Sequence, residues 1–437
     1  MSQGREVTAR ELLDQAARKI DNELAQQPEV RIRLLQAIGQ AYHRQGHYAR
    51  AITYLSRALH LRQQLAQNDK VSTVPILLQL AASQRENGQL SASDSSLRTA
   101  SDVLSSNQHI EDPERARLLA AMGRLYLDRG DWQQSETTLG ESAELMRTNR
   151  TIEPFELVTV VSELAAVQMW KGDFVAAEKT AREALQISRE RLPPLHPTRI
   201  GTEFQLAELL ASRGRNDEEA VGLLESVLKA RRTLYGETSS DVADTLDVLA
   251  RERERQGRSQ EAEQLLRQAL DIQKRSVGPE HFLVAYQHTS LGILLLKVHK
   301  PRAAEQEVRA ALTIYAKSLP ADHQYIAAAE HVLGEALIAQ ARFQDAEQIL
   351  VASRDRWKRT AAPPWRAARS ASALGEALYG QHRLEEAEQL LIEGYRGVTS
   401  DPAADIEARE RARERLTRFY RDTGHPEKLR QVIQPAS

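Results

Sequence analysis

The 437-residue sequence contains no cysteine, which excludes disulfides, thiolate metal sites and cysteine nucleophiles and fits a reducing compartment. It also lacks an excess of charge. With 59 basic and 61 acidic residues the formal net charge is -2, so there is no general electrostatic drive toward nucleic acid or an anionic membrane. Long apolar runs are missing too. The most apolar run, Ile293 to Leu296, is far shorter than the ~20 residues that a bilayer span needs, so no membrane insertion is expected. The opening MSQGREVTARELLDQAARKI has no uninterrupted apolar core of the signal-peptide kind. With Met1 as the natural start, a cytoplasmic location is expected.

Catalytic signatures are absent as well. There is no dinucleotide or phosphate-binding glycine loop, no zinc-protease helix motif, no nucleophile elbow and none of the kinase loop motifs. Among twelve histidines, His43 and His47 have the i, i+4 spacing of a metal pair, but Gly46 lies between them and no Asp joins them. The reading is of a protein that is not an enzyme and needs neither metal nor cofactor.

What the chain does contain is clearest from Leu35 to Leu61. Small and apolar residues fall at Leu35, Ile38, Gly39 and Tyr42, then at Tyr48, Ala51, Leu55, Ala58 and Leu59, the spacing of two amphipathic helices. Gly46 separates them. Gly39, Ala51 and Ala58 are small where a bulky residue would hold the helices apart, so the stretch reads as a closely packed helical hairpin.

The rest of the chain repeats this hairpin. The turn glycine recurs at Gly46, Gly88, Gly130, Gly172, Gly214 and Gly257, in steps of 42, 42, 42, 42 and 43. The small residue of the first helix recurs at Gly39, Ala81, Gly123, Ala165, Ala207, Ala250, Gly292, Gly334 and Gly375. The three copies with His299, Ala341 and His382 at the turn are expected to be tighter or more strained there. A constant period in this range marks a solenoid, in which each copy buries its apolar face only against its neighbours.

Gly or Ala, an aromatic or leucine three residues on, Gly at the turn, an aromatic two residues later and then two small residues seven apart together resemble the tetratricopeptide repeat. The 42-residue period, longer than the usual repeat of about 34, and linkers such as GPEHFLVAY resemble the kinesin-light-chain type. The resemblance implies an all-α fold, a right-handed α-solenoid of stacked antiparallel helix pairs. It implies residues 1–29 as a capping helix, 30–400 as about nine hairpins and 401–437 as a degenerate hairpin or cap. The start of that first helix would be capped by Thr8.

For function the resemblance implies a scaffold that binds a protein or peptide in its concave groove, lined by the first helix of each hairpin. Positions just after the Leu35-type and Gly39-type residues would face the groove. In the C-terminal copies these positions and nearby aromatics give Phe204, Glu208, Asp247, Arg251, Tyr286, Ile293, His331, Glu335 and Tyr379. Aromatics set among charges would anchor and orient a peptide.

Three further stretches have readings. His196, His281 and His323 recur in the linkers and are expected to bond helix-start backbone. RERERQGR, Arg251 to Arg258, is expected to be a solvated, salt-bridged face. The opening REVTARELLDQAARKIDNELAQQPEVRIRLL resembles the repeat-bearing C-terminal region of bacterial membrane serine/threonine kinases. That resemblance implies an alternative: a sensor or docking region, extracytoplasmic if part of a longer membrane-anchored kinase.

Overall fold

The computed structural model describes residues 26–65, 69–106, 112–212, 218–360 and 362–433. The helix expected to start at Thr8, the Gly214 turn and most of the opening stretch lie outside them. Among the described residues all regular structure is helical, and no helix is long and apolar enough to cross a membrane.

The chain forms two compact units, residues 1–168 and 169–437. The first holds α1 (Pro28–Arg44), α2 (Tyr48–Leu65), a 3-10 turn (Lys70–Thr73), α3 (Val74–Glu86), α4 (Leu90–Ser105), α5 (Asp112–Asp128), α6 (Trp132–Thr148) and all but the last residues of α7 (Pro154–Trp170). The second holds α8 (Phe174–Arg191), α9 (Pro197–Ser212), α10 (Glu218–Tyr235), α11 (Ser240–Arg255), α12 (Ser259–Val277), α13 (Phe282–Lys297) and α14 (Pro301–Ser318). It continues with α15 (Gln324–Ile338), α16 (Phe343–Arg359), α17 (Trp365–Gly380), α18 (Leu384–Thr399), α19 (Ile406–Asp422) and α20 (Pro426–Ile433). Within each unit, consecutive helices pair as hairpins and each hairpin stacks on the next.

Close approach within a hairpin explains the small residues. A Cβ added to Gly39 would lie 2.7 Å from Leu55 Cγ, to Gly123 2.6 Å from Leu139 Cγ, to Gly334 2.4 Å from Leu350 Cγ and to Gly375 2.8 Å from Leu391 Cγ. In each pair the leucine stands sixteen residues after the glycine and is at most 1% exposed. The leucine knob therefore fills the hole that the missing side chain leaves.

The turns use one device. Gly46, Gly88, Gly130, Gly172 and Gly257 all have φ between 74° and 82°, the left-handed region where a Cβ carries a penalty. At the first turn the His47 amide donates to Tyr42 O at 2.9 Å and the Gly46 amide to His43 O at 3.0 Å, which satisfies the last carbonyls of α1. His299, Ala341 and His382 adopt the same conformation at φ 57°, 58° and 63°, as the strain expected at these turns requires. Linker histidines also behave as expected: Nδ1 of His196, His281 and His323 accepts from the amides of Thr198 (3.2 Å), Leu283 (3.3 Å) and Tyr325 (3.2 Å).

The RERERQGR stretch is salt-bridged as expected, with Arg253 to Glu225 and Arg258 to Glu261, but it is not solvated throughout. Glu252 is fully buried and the Arg253 side chain is 12% exposed, because this part of α11 packs against the preceding hairpin, where Arg255 donates to Ala211 O at 2.6 Å.

Two outcomes follow for stability. Replacing His299, Ala341 or His382 by Gly relieves a left-handed penalty of roughly 1–2 kcal/mol less the extra entropy of Gly, a net gain of about 0.5–1 kcal/mol each. Gly334→Ala drives a Cβ into Leu350 and costs about 1–3 kcal/mol. Denaturant midpoints at constant m-value report both, and a Gly334→Ala protein as stable as wild type would refute the knob-and-hole account.

Candidate functional site

In the second unit the first helices α13, α15, α17 and α19 converge on one face. Lys297 of α13 pairs with Glu407 of α19 at 3.0 Å. Glu335 of α15 pairs with Arg411 at 3.1 Å and Arg415 at 2.7 Å, both on α19. Ion pairs that cross two and three hairpins require this face to be concave. A Cβ added at Gly172 would lie 3.6 Å from Pro402 and Ala403, in the α18–α19 loop.

Two charge clusters line the face. The first is built on α9 and α11. Asp247 is almost fully buried, its Oδ2 3.4 Å from the half-exposed guanidinium of Arg251, while its Oδ1 is buried without a hydrogen bond. Asp244 sits one turn earlier, and burial, reinforced by Asp247, pushes its carboxyl up to about 6 against the pull of Arg231. Glu208 on α9 is exposed, yet its carboxyl is also raised. Loss of hydration is the largest cause, opposed by Arg251 and Arg231. Tyr286 completes the cluster, its hydroxyl raised first by the Asp247 charge and then by burial. Its ring packs edge-on to Tyr325 with centroids 5.9 Å apart.

The second cluster joins α15, α17 and α19. Arg415, buried, lies between Glu335 and Glu376, the latter at 2.5 Å, and Arg418 also bonds Glu376. His331 is 3% exposed, with Nε2 3.4 Å from Glu335 and Nδ1 3.3 Å from Ser370 Oγ. Burial, reinforced by Arg369, lowers its pKa to about 4. Burial would raise Glu335, but His331, Arg415 and Arg411 hold it well below the usual carboxylate range.

The structure thus brings Glu208, Asp247, Arg251 and Tyr286 together, and separately His331 with Glu335. Ile293, 42% exposed, lies in the groove between the two clusters, lining the cavities on both sides of it. Phe204 is half-buried beneath Arg231, whose guanidinium carbon is 4.0 Å from the ring centroid. Its face is therefore occupied from within the protein. Tyr379 does not belong to the groove. Its hydroxyl bonds Asp422 at 3.3 Å and its ring meets Phe419 edge-on at 5.4 Å. It stands four residues after Gly375, in the register that faces the next hairpin, as His43 does toward Ser83 and Glu254 toward Lys297.

Asp244, Arg366 and Arg369 were missed as groove residues. A signal for two of them exists: Tyr286 stands six residues before Gly292, and the same step back from Ala250 and Gly375 gives Asp244 and Arg369. In the first unit the equivalent face is internally paired, with Arg117 to Glu156 at 2.7 Å and Arg124 to Glu163 at 2.8 Å. Among the described residues no group of His, Asp and Glu could hold a metal ion.

Tetratricopeptide-repeat family models match residues 202–275, 253–317 and 325–400, and residues 32–65. The chain belongs to the tetratricopeptide-repeat family. Solved structures with a similar fold include apo RapI, at 13% identity and TM-score 0.62, covering 84% of this chain and 98% of that one. A Rap protein complexed with Competence and Sporulation Factor is 15% identical, with TM-score 0.51, covering 83% and 99%. The kinesin-light-chain-like repeats from Podosopora anserina are 25% identical over 48% of this chain and 98% of theirs, with TM-score 0.39. No curated protein matches the chain.

The lowered pKa of His331 makes a pH prediction. The unfolded chain takes up this proton near pH 6.5 and the folded chain only near 4, so the stability linked to His331 is present above 6.5 and lost as pH falls toward 4. Asp244 acts in the opposite sense over the lower part of that window, so the test is the difference between wild type and His331→Gln. That difference shifts against wild type by up to about 3 kcal/mol between pH 6.5 and 4. Parallel stability curves would refute a neutral buried imidazole.

Proposed function

We propose that the chain is a non-catalytic scaffold that binds a protein or peptide on the concave first-helix face of its second unit, with a basic group of the ligand seated at Glu208, Asp244 and Asp247. One observation carries this reading: three carboxylates share a partly desolvated face with Arg231 and Arg251, and their bonding capacity exceeds what the fold uses. Asp247 Oδ1 has no hydrogen bond, while Asp244 and Glu208 are raised, chiefly by loss of hydration, despite the nearby charge of Arg231 and, at Glu208, of Arg251. An incoming ammonium or guanidinium supplies both donor and charge, which is the strong form of hydrogen bond. Tyr286 and Ile293 offer apolar surface beside it. The Rap protein solved with Competence and Sporulation Factor supports ligand capture by a fold of this kind. Set in a longer protein, the same face would serve as a sensor or docking region.

The test exposes immobilised protein to a random heptapeptide pool and identifies retained peptides by mass. Lys- and Arg-containing peptides are enriched on wild type. Charge reversal in a Glu208→Lys, Asp244→Lys variant lowers their retention at least about tenfold, about 1.4 kcal/mol. Wild-type retention weakens as pH falls through about 6, where Asp244 takes up its proton. Retention that ignores both charge reversal and pH would sink this assignment.

A further inference from the structure

At the other end of the groove the charge imbalance is reversed. Arg366 and Arg369 stand one turn apart on α17, and neither guanidinium has a carboxylate within ion-pair distance among the described residues. Both lie against aromatic rings. Arg366 is 4.7 Å from the Trp365 centroid and 5.3 Å from Trp357, and Arg369 is 5.6 Å from Trp365. The Arg369 Nε is buried without a hydrogen bond. Burial, together with the like charge of Arg369, lowers Arg366 to about 10 against the opposing pull of Asp405, the mark of a cation short of water.

Both arginines line a cavity of about 270 Å³ whose apolar wall is Ile293, Leu296, Ala328 and Val332. Acids also reach this cavity, but each has its own task. Asp405 caps α19 by accepting from the Ala408 amide at 2.6 Å. Glu407 is held by Lys297 at 3.0 Å and Arg411 at 3.1 Å. Glu335 is held by Arg411 and Arg415. These acids add a selection rule: they repel a dianion such as phosphate more than a monoanion, while a planar carboxylate matches the donor fork of a guanidinium.

We infer that this cavity is a binding site for an amphiphilic carboxylate, its acid group between Arg366 and Arg369 and its short aliphatic chain against Ile293, Leu296 and Val332. Two sources share that chemistry, a free short-chain carboxylic acid and the C-terminus of a peptide with an apolar last residue. The site is separate from the acidic end of the groove, so it stands or falls independently of basic-group binding there.

The test uses tryptophan fluorescence, since Trp357 and Trp365 lie under Arg366, with isothermal titration as a second readout. The probes are 4-methylpentanoate and its amide, and Gly-Gly-Leu with a free or amidated C-terminus. Saturable binding of the carboxylates is expected, with each amide at least about tenfold weaker. Arg366→Gln, Arg369→Gln removes that discrimination, and the conservative Lys pair retains it, which separates loss of charge from loss of fold. Tighter binding of the free acid assigns the first source, and tighter binding of the tripeptide the second. The inference is overturned if neither carboxylate saturates, if amides bind as well as acids, if the Gln pair still discriminates, or if inorganic phosphate displaces 4-methylpentanoate at lower concentration than acetate does.

Discussion

The architecture rests on how closely two helices of one hairpin can approach. Leu55, Leu139, Leu350 and Leu391 are seated where the facing helix has no Cβ, at Gly39, Gly123, Gly334 and Gly375. This single contact fixes the rotation of each helix about its own axis. One stripe of each helix is then buried within the hairpin and a second faces the next hairpin. A third stripe of the first helix, one residue after the glycine and three or six before it, remains for the groove. Because the contact recurs, the stripes stay in phase from copy to copy, and side chains distant in sequence come to share a surface.

The stripes carry charge differently. Between second helices and the following turn, opposite charges are matched in a ladder: Lys300 to Glu263, Arg342 to Glu305 and Arg383 to Glu347, at 2.9, 2.9 and 2.6 Å. Exposed pairs of this kind contribute little stability singly, but they set which hairpin face meets which. Along the groove of the second unit the matching fails at both ends. Acids exceed their partners on α9 and α11, and arginines exceed theirs on α17. The set of Glu335, Glu376, Arg411 and Arg415 is instead fully matched and ties α19 across the face.

Much of this was legible in the sequence. The period gave the hairpins, the glycine positions gave the turns, and the linker histidines gave caps that the backbone confirms. Tyr379 was misplaced because an aromatic near a repeat glycine reads the same whether it stands three, four or six residues away, and only the helix rotation separates those registers. Phe204 occupies the expected stripe, but its partner Arg231 comes from the second helix of the same hairpin, and no spacing rule links them. Asp244 and Arg369 were recoverable, had the offset of Tyr286 been carried to the other copies. The Glu335 network was not, since it joins residues as much as 80 positions apart through a curvature that a one-dimensional period does not encode.

The unmatched groups are informative because the fold gains nothing visible from them. A buried carboxylate oxygen without a donor costs roughly 1–3 kcal/mol, and an arginine stacked on indole without a carboxylate forgoes part of its hydration for a modest ring attraction. Apolar residues at Asp247 or Arg366 would occupy the same stripes, as Phe204 and Leu283 do at the equivalent positions of other copies. In the first unit the same face shows closed pairs instead, Arg117 with Glu156 and Arg124 with Glu163. A repeat that can close its groove charges in one unit and leaves opposite charges open at the two ends of the other has a polarity along that groove. A ligand that satisfies both ends can lie in it in only one direction, its basic group toward α11 and its acidic group toward α17.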